Sequence, residues 1–118
     1  MAREVVSKKN RYEELLRDEA NLLLRQGFRD PRLNFVSFTK AELNDDYSLA
    51  KLYWDTFDAG HRGDIKDALS GITGKLRVML SQKIELRHTP AIEFIYDSQY
   101  ESEKKIENLL NQKDTEEN

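Results

Sequence analysis

The stretch DIKDALSGITGKLRVMLSQKIELRHTPAIEFIYD, residues 64–97, decides the fold. It reads as helix, glycine break, helix and strand. Ile65, Ala68, Leu69 and Ile72 fall at i, i+3, i+4 and i+7, one side of an amphipathic helix. Leu76, Met79, Leu80 and Ile84 make a second stripe. Gly71, Thr73 and Gly74 lie around the junction. Two glycines within one helix cost about 1 kcal/mol each relative to alanine, so a kink is expected at Gly71, Thr73 and Gly74. After Thr89 and Pro90 comes a strand, Ala91 to Asp97, with Ile92, Phe94 and Tyr96 on one face.

Upstream, a helix is expected from about Lys8 to Gln26. Tyr12, Leu15, Leu16, Ala20, Leu23 and Leu24 form its apolar side, and Gly27 ends it. Residues 28–33 form a turn, because Pro31 biases Asp30 away from helix. Asn34 to Leu43 and Ser48 to Phe57 read as an antiparallel hairpin turning at residues 44–47. In its second strand Ala50, Leu52 and Trp54 face the core, and Lys51, Tyr53 and Asp55 face away. The first strand changes parity between Val36 and Phe38 on one side and Ala41 and Leu43 on the other. A bulge or cover on both faces explains that change. A final helix from about Tyr100 to Asn111 uses Ile106, Leu109 and Leu110. The predicted architecture is a single α+β domain over residues 8–112, a three-stranded sheet with helices on one face. Residues 113–118 are expected to form an acidic disordered tail.

The chain has 118 residues, 38% of them hydrophobic and 35% charged, with no cysteine. Disulfide frameworks and thiolate metal sites are excluded, and no apolar run is long enough to cross a membrane. A cytoplasmic protein is the expectation. The net charge of −3 is unevenly placed. Residues 98–118 carry all of it, while Gly74 to His88 carries four bases against one acid. A neutral body with a basic patch can hold a phosphate chain locally. Lys75, Arg77, Lys83 and Arg87 form that patch, to which Lys8, Lys9 and Arg11 add a second cluster. Arg29 and Arg32 flank the turn. Arg32 has two uses open to it: phosphate contact, or satisfying Asp30 or buried carbonyls.

Catalytic chemistry finds no constellation. His61 and His88 lack a nucleophile with a matching base, and Asp45 and Asp46 are adjacent carboxylates in a turn rather than a cation site. No cofactor and no metal are expected. Trp54 reads as core; Tyr53 either stacks on a base or covers the sheet.

In chain order, the pattern is Arg11, Asp30-Pro31-Arg32-Leu33, Asp46, Ala50-Lys51-Leu52-Tyr53 and Thr73-Gly74. It continues through Leu76-Arg77, Leu86-Arg87-His88-Thr89-Pro90 and Phe94-Ile95-Tyr96-Asp97. This pattern resembles the ribosome-binding factor A family over roughly residues 8–110. The resemblance implies a type II KH-like domain in which a helix-kink-helix replaces the usual Gly-x-x-Gly loop. It implies a bacterial, non-catalytic factor that binds the immature small (30S) ribosomal subunit and its 16S ribosomal RNA. Late maturation, processing of the 5′ end of that RNA and growth in the cold are the associated roles. Release by an assembly GTPase is compatible with it, as is a monomer with no membrane partner. The chain departs from the pattern at Ile72, where a small residue is expected, and at Asp45, Gln82 and Glu85, where relatives are often basic. Two other readings are a general KH module for single-stranded RNA and a protein-interaction adaptor.

Overall fold

A computed structural model describes residues 7–85, 88–97 and 109–110. Its elements are α1 (Lys8–Gln26), β1 (Val36–Leu43), β2 (Leu49–Thr56), α2 (Arg62–Lys83) and β3 (Ala91–Tyr96). Short 3-10 turns, Pro31–Leu33 and Ala59–His61, precede β1 and α2. The sheet order is β1-β2-β3, antiparallel between the first two and parallel between the last two. Both helices pack on one face of this sheet, giving the expected α+β two-layer domain.

α1 begins and ends where the sequence places it. The Ser7 hydroxyl accepts the Asn10 amide at 3.1 Å, and the Gly27 amide returns to the Leu23 carbonyl. Leu16, Ala20, Leu23 and Leu24 are buried, whereas Leu15 of the expected stripe is exposed.

The parity change in β1 is a bulge. Phe38 pairs with Trp54 and Lys40 with Tyr53, leaving Thr39 as the extra residue. Val36, Phe38, Ala41 and Leu43 can then all turn inward, as their burial shows. At the hairpin Tyr47 adopts φ 61°, and its ring packs edge-on against Tyr12 at 5.9 Å.

The outward edge of β1 is held by α1. The Leu43 amide donates to Glu13 at 2.8 Å. Asn21 mimics a strand, accepting the Phe38 amide at 2.7 Å and donating to its carbonyl at 3.0 Å. Arg25 donates to the carbonyls of Leu33 and Val36. Sequence reasoning missed this row. Its signal was present: Glu13, Asn21 and Arg25 are separated by multiples of four and share a helix face.

The break expected at Gly71, Thr73 and Gly74 does not occur; α2 is one α-helix of 22 residues. Ile72 and Leu76 are four apart, so the two apolar stripes are in phase and form one. Ile65, Ala68, Leu69, Leu76 and Leu80 are buried together, with Ile72 and Met79 packed at their margin. Burying Leu76 and Leu80 contributes about 1.5–3 kcal/mol each, which outweighs two glycine penalties of about 1 kcal/mol. No described glycine has positive φ. The Thr73 hydroxyl turns back onto the Leu69 and Ser70 carbonyls at 3.2 and 3.1 Å, a local competition within an otherwise continuous ladder.

Ile92, Phe94 and Tyr96 pack against the core as expected. Most of the expected final helix lies outside the described residues, as do Arg87, Ile106 and the segment 113–118. Leu109 and Leu110 are helical and exposed rather than buried. No helix among the described residues is long and apolar enough to cross a membrane.

Candidate RNA-binding surface

The exposed side of α2 is mixed: Asp64, Asp67, Val78 and Gln82 lie on it together with small and basic residues. Ser70, Gly71, Gly74, Lys75, Arg77, Ser81 and Lys83 are all exposed. A Cβ added at Gly71 or Gly74 would meet nothing within 4 Å, so neither glycine is demanded by internal packing. What they leave is bare helical backbone facing outward.

Lys75 sets its ammonium 5.3 Å from the centre of the Phe28 ring, a cation–π contact that draws it to the turn after α1. Arg77 donates from Nε to the Pro90 carbonyl at 2.9 Å and from Nη2 to the Thr89 carbonyl at 2.7 Å. It thereby ties α2 to the start of β3. Two of the five guanidinium donors are used this way, and the group is held in a fixed direction. Lys83 is exposed on the last turn of α2, with no hydrogen bond or ion pair among the described residues.

The remaining predicted cations divide between the two ends of α1. Lys8 lies 5.9 Å from the Tyr12 ring, and Lys9 is 3.7 Å from Asp45 at the hairpin. Arg11 is exposed one turn on. At the other end Arg29 is exposed, beside the Phe28–Lys75 contact. Nineteen helical residues span about 28 Å, so the two groups are well apart. The sequence brought nine cations under one heading; the structure spreads the eight that it describes along the molecule, and Arg87 lies outside the described residues.

Of Arg32's two uses, the structure shows pairing with Asp30. Nε and Nη2 reach both carboxylate oxygens, the shortest contact being 2.7 Å. Arg32's hydrogen bonds hold the Asp30 carboxyl below its ordinary range, and the carboxylate in turn raises the guanidinium. The pair is solvent-exposed and fixes the turn rather than stabilising the fold appreciably.

Tyr53 is packed among its neighbours on the sheet. Its hydroxyl donates to Glu42 at 3.0 Å, and Lys40 lies 5.2 Å from the ring centre. That hydrogen bond lowers the Glu42 carboxyl and raises the phenol. Asp46 holds the turn, accepting the Ser48 amide at 3.1 Å, while Asp45 is exposed and lies 3.7 Å from Lys9. No group of three or more His, Asp or Glu side chains among the described residues could hold a metal ion.

His61 hydrogen-bonds through Nδ1 to Asp58 at 2.8 Å, which raises its pKa above the ordinary 6.5. A raised histidine pKa gives stability that is full below the unfolded value and lost as pH rises through the folded one. An NMR titration of His61 is therefore expected to show a midpoint above 6.5, moving back toward it in Asp58→Asn. No change on substitution would contradict the pairing.

A model of the ribosome-binding factor A family matches residues 8–110, nearly the whole chain. The chain belongs to that family. Ribosome-binding factor A of Desulfitobacterium hafniense is 37% identical over 102 residues, covering 86% of this chain and 82% of the relative. The crystal structure of ribosome-binding factor A from Thermus thermophilus superposes with a TM-score of 0.68 at 25% identity. That match covers 75% of this chain and 93% of the other. Coordinates of the Thermus thermophilus factor have also been fitted into a cryo-EM map of a 30S complex. They share the fold, with a TM-score of 0.57 at 24% identity over 72% of this chain and 90% of theirs. The KH-like architecture expected of the family is thus the one observed.

Proposed function

We propose that the chain is a non-catalytic ribosome-assembly factor. It binds the immature small (30S) subunit through 16S ribosomal RNA and promotes late maturation, including processing of the RNA 5′ end. Family membership supports the ribosomal role. The outward face of α2 supports the RNA contact: Lys75 and Arg77 flank backbone left uncovered at Gly71 and Gly74, and Lys83 adds a cation at the end of the helix. Fixed cations with open backbone between them position a phosphate chain without reading its sequence. Arg77 serves two purposes in this scheme, orienting the strand connection with two donors and offering the others to phosphate.

Affinity for precursor subunits against mature ones tests the proposal. Tighter binding to the precursor is expected, falling with salt at a log–log slope of about −3 to −4 if four to six phosphates are engaged. Lys75→Ala with Lys83→Ala should make the slope shallower by about 1.4, since each phosphate contact contributes about 0.7. Arg77 is left intact because its loss would also release Thr89 and Pro90. Negligible binding to both particles, or a slope untouched by the double substitution, would overturn the reading.

A further inference from the structure

The two edges of the sheet are not alike. β1 is screened by Glu13, Asn21 and Arg25, whose side chains occupy outward backbone groups. β3 is the other edge, and among the described residues no strand lies beyond it. Its hydrogen-bonding register is fixed at both ends. The Ala91 amide donates to Ser48 at 2.9 Å and the Asp97 amide to Trp54 at 2.7 Å. In a parallel ladder alternate residues bond to the neighbour, so residues 91, 93, 95 and 97 face β2. The N–H and C=O groups of Ile92 and Phe94 point the other way, and no hydrogen bond from described residues reaches them.

The side chains along this edge indicate what would fit. Ala50 and Leu52 of β2 are buried, yet their partners Ile92 and Phe94 are only half-buried. Among the described residues, the apolar layer therefore has no cover at this side. On the opposite face Glu93 is exposed at the edge, with Lys51 of β2 as its inner cross-strand partner; Ile95 shares that face, and the Asp97 carboxylate is already taken by the Thr39 hydroxyl at 2.9 Å. We propose that the outer edge of β3 takes up an extended protein segment carrying alternating apolar and lysine or arginine residues, as a fourth strand. Main-chain hydrogen bonds would supply the grip, and the alternation would match Ile92 and Phe94 on one face and Glu93 on the other. Nucleic acid fits poorly, because it lacks the alternating amides and its phosphates would meet Glu93. A second copy of β3 fits poorly too, because it would bring more glutamate to the same face. This inference stands apart from the RNA contact of α2.

The test uses the full chain and a labelled peptide of alternating lysine and valine, with a glutamate–valine peptide as control. The lysine peptide should bind and slow exchange of the Ile92 and Phe94 amides by about tenfold or more, and the control should not. Glu93→Lys should weaken binding by about fivefold or more. Ile92→Pro should abolish it, since that proline removes an outward donor and no ladder bond. Circular dichroism checks that both variants fold; if the proline variant does not, the exposed Glu93→Lys alone decides. Three results would overturn the proposal. The Ile92 and Phe94 amides could already be as protected as those of β2 in the free chain, meaning the edge is covered. Sedimentation could show a dimer that Glu93→Lys alters, meaning the occupant is a second copy. Peptide binding could also survive Glu93→Lys unchanged.

Discussion

Leu76→Ala should lower the unfolding free energy by about 2–5 kcal/mol, the range found when a fully buried leucine is truncated. Leu76 is 0% exposed and lies just past Gly74. It is therefore the residue whose burial depends most directly on α2 continuing through the glycines. A domain of this size loses roughly 4–8 °C in Tm per kcal/mol, so thermal melting should fall by about 10 °C or more. Val78→Ala is the control. That valine is 57% exposed, and its truncation should stay within about 0.5 kcal/mol. Urea denaturation of the two variants measures both. If Leu76→Ala cost no more than Val78→Ala, the helix could not be packed as described.

Substituting Gly71→Ala and Gly74→Ala together should stabilise the fold by about 2 kcal/mol, because each glycine in a helix interior costs about 1 kcal/mol. Neither has positive φ, and a Cβ at either meets open space, so no strain offsets the gain. A kink using left-handed glycines would give the opposite sign, since alanine is strained there. The same double variant carries a second readout. If RNA backbone approaches α2 at the uncovered stretch, two methyl groups hold it off. Affinity for precursor subunits should then fall while Tm rises. Stability and binding moving in opposite directions would separate a functional role for the glycines from a structural one.

Much of the fold was legible in the residues because burial follows periodicity. The α1 limits, the hairpin, the core face of β2 and the strand at β3 each rest on a repeat of 3.6 or 2 backed by a cap or proline. The untidy parity of β1 left a bulge or cover on both faces open, and the structure shows the bulge, at Thr39. The expected break into two helices failed for a quantitative reason. Glycine is a modest penalty, and the four-residue step from Ile72 to Leu76 already joined the two stripes. Phase should have outweighed punctuation. The cations were legible as a set but not as an arrangement. Arg77 holding Thr89 and Pro90, Arg32 holding Asp30, and Lys75 over Phe28 all depend on which loop passes beside which helix. Arg25 shares a helix face with Glu13 and Asn21, but its partners, the carbonyls of Leu33 in the turn and Val36 in β1, are fixed only by the tertiary fold.

The row from Glu13 through Asn21 to Arg25 makes α1 behave toward β1 as a neighbouring strand would. The amide protons of Leu43 and Phe38 are enclosed by side chains of the helix. Freeing both at once by lifting α1 uncovers Leu16, Ala20, Leu23 and Leu24 together. An outer strand that ordinarily frays first is thus tied to the whole-molecule unfolding event, and its slowest protons report the stability of the entire domain.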